Sequence, residues 1–252
     1  MLVSLVQLRK KINHECFLEP AQVGGRLPIS RVTRCLGSLR QWLDNVPTHI
    51  RWDSSLHPQH RRAVSLLHLR FWTSVISITR PFLLFTVARP AASMIPVKRK
   101  IYEQMSNNCI EAAESAVLIL KRMREDKTLS SLMLLDCHCI GEVMWILILA
   151  LQKGLGGAER QGMLRFCLET LSSMEKIGWC EKVLPEIEAR IHESGVLEPE
   201  TTQPAQSLQS LRSAHGQADG PASQVAEDNS AVPVATMSPS QAPGNTSDYT
   251  GL

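Results

Sequence analysis

The sequence predicts an all-α protein, an irregular multi-helix bundle around two buried helices with a disordered C-terminal tail. Three observations lead there. Apolar residues recur at three- and four-residue intervals over most of residues 1–198, the spacing of a buried helix face. Two stretches, residues 57–88 and 129–152, are apolar nearly all round, as a helix packed on several sides must be. No run of alternating β-branched and aromatic residues bounded by turn pairs marks a strand.

Taken in order, residues 2–17 space Leu2, Leu5, Val6, Ile12 and Cys16 at helical intervals, with Arg9, Lys10 and Lys11 outside. This helix starts without a cap or polar lead-in, so partner helices are expected upstream or in another chain. FLEPAQVGGRLP reads as a loop with Gly24, Gly25 and Pro28 as breakers. The next helix, residues 29–45, takes Ser30 as N-cap and buries Val32, Cys35, Leu36, Leu39, Trp42 and Leu43. His57 and Pro58 suit the start of the central helix. Val64, Leu67, Phe71, Val75 and Ile78 form its apolar arc, widened by Leu69, Trp72 and Ile76, while Arg70, Thr73, Ser77 and Arg80 follow a narrow polar strip.

Pro81 lacks an N–H, and its ring crowds the carbonyl four residues back, so the central helix should kink or stop there, leaving Arg80 beside freed carbonyls. A helix over 97–124 then stacks Ile101, Met105, Cys109, Ala112, Ala116, Ile119 and Met123, with small residues that admit a close neighbour. The second buried helix covers 129–152. After the loop KGLGGAER come helices over 161–177 and 178–193, the last with Pro185 forcing a kink or a late start. Residues 199–252 are rich in Ser, Ala, Gln, Pro, Gly and Thr, with Tyr249 as their one aromatic residue, too little apolar surface to offset chain entropy. The chain therefore divides into a helical domain, residues 1–198, and a tail, residues 199–252.

Charge is unevenly placed. Residues 1–100 carry 16 Lys and Arg against four acids, residues 101–198 carry 10 against 15, and the tail carries one against five. The basic residues are spread over several segments, so solvated faces complementing the acidic second half are expected in preference to a nucleic-acid groove. Seven Cys with no basic n-region or cleavage site at the amino terminus point to free thiols in a reducing compartment. The longest uninterrupted apolar run, residues 143–151, is nine long, well below the roughly 18 to 20 of a membrane span, so no membrane is expected.

No catalytic, cofactor or metal residues are assigned. Cys137, His138 and Cys139 are adjacent, but residues two apart on a helix point about 200° away from each other and cannot grip one ion. His57 and His60 share a face without a third ligand. Asp136 and Glu142 lie too far round the helix to work as acid and base. No nucleophile elbow, phosphate loop, dinucleotide glycine fingerprint or zinc-protease motif occurs, and Gly24-Gly25 and Gly156-Gly157 read as turns. Pro96-Val97-Lys98-Arg99-Lys100 has the composition of a short nuclear import patch, and Asn245-Thr246-Ser247 fits a glycosylation acceptor that matters only in a secreted chain.

Four segments in one order resemble the fungal-specific transcription factor domain, the helical middle homology region of fungal zinc-cluster transcription factors. They are LGSLRQWLDNVPTHIRW, LLHLRFWTSVISITRPFLLF with its Arg80-Pro81-Phe82, SNNCIEAAESAVLILKRM, and FCLETLSSMEKIGWCEKVLPEIEARI, together covering about residues 30–195. Thr79 stands where family members often have His. The six-cysteine DNA-binding cluster, its basic linker and the first half of the region have no counterpart. The resemblance implies a carboxy-terminal portion of such a regulator: a non-catalytic module of transcription regulation in the nucleus, without direct DNA contact. Partners would be the transcription machinery or a second copy of the chain as a homodimer, with a small-molecule effector. The rival expectation is a small-molecule-binding protein or enzyme whose anion pocket is lined by Arg70 and Arg80.

Overall fold

Helices account for almost all regular structure in the computed structural model, which describes residues 1–22, 29–52, 54, 57–89, 94–130, 133–174 and 178–197. All of these belong to one compact unit, Met1–Thr201. Among the described residues there is no strand, and the fold is an all-α bundle. The expected tail, residues 199–252, and its glycosylation tripeptide lie outside the described residues, as do Gly24 and Gly25.

The elements are α1 (Leu2–Asn13), α2 (Glu19–Gln22), α3 (Ile29–Asp44), α4 (Pro58–Ala88), α5 (Pro96–Glu125), α6 (Leu134–Gln152), α7 (Ala158–Ser173) and α8 (Trp179–Ser194). A π-helical segment, His14–Leu18, joins α1 to α2, so Phe17 to Gln22 is helical where a loop was expected. Pro20 has no N–H to give, and the Glu19 amide just before it makes the π-type bond to the His14 carbonyl. A 3₁₀ turn, Thr48–Ile50, interrupts the connector before α4.

The two buried helices are α4 and α6. His57 precedes α4 with extended backbone, its Nδ1 accepting the amide of Gln59 at 3.4 Å, and Pro58 takes the first helical position. The helix does not stop at Pro81: α4 runs through it to Ala88. Packing holds the segment beyond the proline in helical form. Phe82 and Leu83 are buried, and Tyr102 of α5 stacks edge-on to Phe82 with centroids 5.1 Å apart and lies 4.8 Å from Phe85. Thr79 spends its hydroxyl on the carbonyl of Val75 at 2.7 Å. Pro185 likewise lies inside α8 without delaying its start.

Helix α4 packs most extensively on α5, whose Ala112, Ala113 and Ala116 are fully buried and let the neighbouring backbone come close. In turn α6 packs against α5, α7, α8 and α4, while α1 and α3 cover another side of α4. Trp42 of α3 stacks on Phe71 of α4 at 5.6 Å, and its indole N–H donates to Ser4 Oγ of α1 at 3.0 Å, tying three helices together.

Several starts differ from expectation. Ser30 is the second residue of α3 instead of its cap. Helix α7 starts at Ala158, directly after Gly157 in its cap position. Helix α6 starts at Leu134, past Leu129, and its buried Asp136 accepts the amide of Ser130 at 3.0 Å. By length and composition alone, α4 and the full 19 residues of α6 could each cross a membrane, since the helix extends beyond the nine-residue apolar run. More than half of each apolar window is buried inside the bundle, as core helices are.

Candidate functional site

Pairing consumes much of the basic half. Arg61 reaches Asp126 at 2.7 Å, Arg62 holds Asp136 at 3.0 and 3.3 Å, and Arg80 grips both oxygens of Glu142 at 3.0 and 3.1 Å. Each of these joins the basic first half to the acidic second half. Nearer the amino terminus, Arg31 pairs with Glu19 and Arg34 with Glu15. Arg62 also donates to the Thr128 carbonyl, so the Asp136 site is a closed structural network at the start of α6.

The polar strip of α4 does not act as one surface. Thr73 and Ser74 donate to the Arg70 carbonyl at 3.1 and 2.7 Å, and Ser77 donates to the Thr73 carbonyl at 2.8 Å, so these hydroxyls serve their own helix. Arg80 leaves for Glu142. Arg70 alone among the strip's charges lines a groove, and its companion there is Arg9.

This groove, of about 1050 Å³, runs between α1 and α4 and is closed by Ile50 and by Leu135 of α6. Its volume sits at the upper end of the roughly 300–1,000 Å³ typical of small-molecule sites. The helical period generates the lining. On α4, Ala63, Val64, Leu66, Leu67 and Arg70 recur at helical spacing, and on α1, Leu2, Val6, Arg9, Lys10 and Asn13 do the same. Leu66 interrupts the polar strip because it belongs to this wall. The walls are overwhelmingly apolar, and the polar side chains are Arg9, Lys10, Asn13, His14, His60 and Arg70. Among the described residues no carboxylate lines it.

At the inner wall, Nη1 of Arg9 is fully buried and has no hydrogen-bond partner, the one such side-chain atom among the described residues. Burial, and next the charge of Arg70, pull the Arg9 guanidinium below the usual arginine range, while Glu142 opposes them. That carboxylate is already held by Arg80 through both oxygens. Arg9 and Arg70 thus both line an apolar space, while the Nη1 without an acceptor is enclosed by protein.

The thiols do not gather. Cys137 lies 3.7 Å from Met174 Sδ, Cys139 is fully buried, and His138 between them is exposed, so the three diverge as their spacing requires. No group of three or more His, Cys, Asp or Glu side chains suits a metal ion among the described residues. Burial pushes Cys109, Cys139 and Cys167 up to about 12. Cys16 and Cys35 are 3.7 Å apart between the π-helical segment and α3, and burial likewise pushes Cys16 up to about 12. Such thiols are inert packing groups at neutral pH. His57 and His60 have ring centroids 6.0 Å apart at the exposed start of α4, and His60 forms part of the groove's rim.

Sequence reasoning placed Arg9 on the outside of its helix and so missed it. The signal was present in the pattern: Leu2, Val6, Arg9 and Asn13 fall on one stripe, adjacent to the Leu5 and Ile12 face. No protein-family model matches the chain, and neither a curated protein nor a solved structure is significantly similar to it.

Proposed function

We propose that this chain is a non-catalytic, small-molecule-responsive regulatory module of transcription, acting in the nucleus through protein partners. Two independent considerations support the reading. The ordered resemblance over about residues 30–195 supplies the process, and the groove between α1 and α4 supplies a means of response. The observation that carries it is an apolar groove whose described lining holds Arg9 and Arg70 and no carboxylate, a setting that favours an anionic ligand with an apolar body.

A heterologous DNA-binding domain fused to the full chain, placed upstream of a reporter, tests this. Reporter output should shift several-fold from that of the DNA-binding domain alone, and Arg70→Met should blunt its response to growth conditions. Output identical to that of the DNA-binding domain alone overturns the proposal.

A further inference from the structure

The groove's chemistry narrows its ligand beyond the proposed function, on which this inference rests. We infer that the space between α1 and α4 takes a single aliphatic carboxylate, its head on Arg9 and Arg70 and its hydrocarbon chain along the apolar wall.

Charge decides the head. Among the described lining residues, five of the six polar side chains are basic or can become so, namely Arg9, Lys10, His14, His60 and Arg70, and none is acidic. An anion entering there meets no repulsion from the lining itself. The nearby negative charge, Glu142, is compensated by its two-oxygen pairing with Arg80 at 3.0 and 3.1 Å. A planar carboxylate matches a guanidinium fork, and both Arg9 and Arg70 line the groove. Arginine also pairs bidentately with phosphate, so dodecyl phosphate is the competing head in the titration below.

The walls decide the rest. Leu2 and Val6 of α1 are more than half exposed at the mouth, and Ala63, Val64, Leu66 and Leu67 continue the apolar surface toward Arg70. From His60 to Arg70, α4 rises by about 15 Å at 1.5 Å per residue, the length of an extended chain of roughly 12 carbons. A short polar acid would leave this wall wet. A neutral lipid would leave the basic lining without a counter-charge. Only a molecule carrying both parts answers both observations.

The test is titration calorimetry on the full chain with dodecanoate, 1-dodecanol and dodecyl phosphate, each below micelle formation. Dodecanoate should bind one per chain, about tenfold or more tighter than dodecanol, the range of a charge-assisted hydrogen bond. In Arg9→Met and in Arg70→Met dodecanoate should fall to the level of dodecanol, while dodecanol itself holds. Equal binding of dodecanoate and dodecanol to the wild type, or no binding of either, overturns the assignment. Tighter binding of dodecyl phosphate overturns the choice of head. A chain that sediments as a dimer which dodecanoate neither enters nor dissociates shows a second copy in the groove, and also overturns it. The two proposals fail separately: binding without any reporter shift defeats the regulatory reading alone, and a reporter shift without binding defeats the ligand alone.

Discussion

The two sides of α4 obey opposite rules. Toward α5 and α6 its surface is dry and every described buried polar side chain is answered: Thr86 meets Ser106 at 3.1 Å, Thr79 bonds its own helix, and Arg62 closes on Asp136. Toward α1 the same helix faces an apolar groove lined by Arg9, whose Nη1 is enclosed by protein without an acceptor. One helix therefore serves as scaffold on one face and as binding wall on the other. The contrast teaches where to look for function: a fully satisfied polar network such as Arg62–Asp136 completes the fold by itself, whereas an unsatisfied one awaits something else.

The sharpest way to break this contrast is at Asp136. Asp136→Ala strands Arg62 and the Ser130 amide at the start of α6, and should cost about 3–5 kcal/mol in urea denaturation. A loss below about 1 kcal/mol would show that the packed side does not depend on its polar network.

Next comes the close approach of α5. Ala116 is fully buried, so Ala116→Leu should destabilise by about 1–3 kcal/mol through overpacking, while leaving ligand titrations unchanged in stoichiometry. A neutral result would mean that the space beside α5 is looser than the structure shows.

The thiols give a pH-dependent effect confined to the packed side, absent at neutral pH. Burial raises Cys109 and Cys167 from an ordinary value near 9 to about 12. Below pH 9 both are protonated in folded and unfolded chains, and stability is independent of them. Above it the unfolded chain ionises first, so stability should fall as pH climbs from 9 toward 12, by about 1 kcal/mol per unit for each thiol. Denaturation curves at pH 8 and pH 10.5 check this, and Cys109→Ala with Cys167→Ala should flatten the slope.

How far the sequence disclosed these two faces depends on which signal each uses. Apolar periodicity placed α4, α5 and α6 well, because their burial follows directly from side chains such as Phe71, Ile76, Ile119 and Ile146. The stop that proline chemistry allowed at Pro81 does not occur, because Tyr102 packs on Phe82 and Phe85 beyond it. Periodicity failed at Glu19 and Pro20, read as loop residues but absorbed into a helix extended by a π turn. Arg70 was legible as a candidate because a charge inside so apolar a stretch stands out. Its partner was not: Arg80 seemed the natural companion on the same strip, yet it meets Glu142 of α6, and Arg9 arrives from a helix some sixty residues away. Spacing along one helix reveals a face, and only the packing of two helices reveals a groove.

The smallest expected effect is also the most direct test of the account. Urea denaturation of Arg9→Met, without and with dodecanoate, asks whether the guanidinium serves the fold or a ligand. Removing an unpartnered buried donor should leave unliganded stability unchanged or raise it by up to about 1 kcal/mol, while abolishing the stabilisation that dodecanoate gives the wild type. A loss of 2 kcal/mol or more without ligand, on the order of a broken structural hydrogen bond, would contradict the account and make Arg9 part of the scaffold.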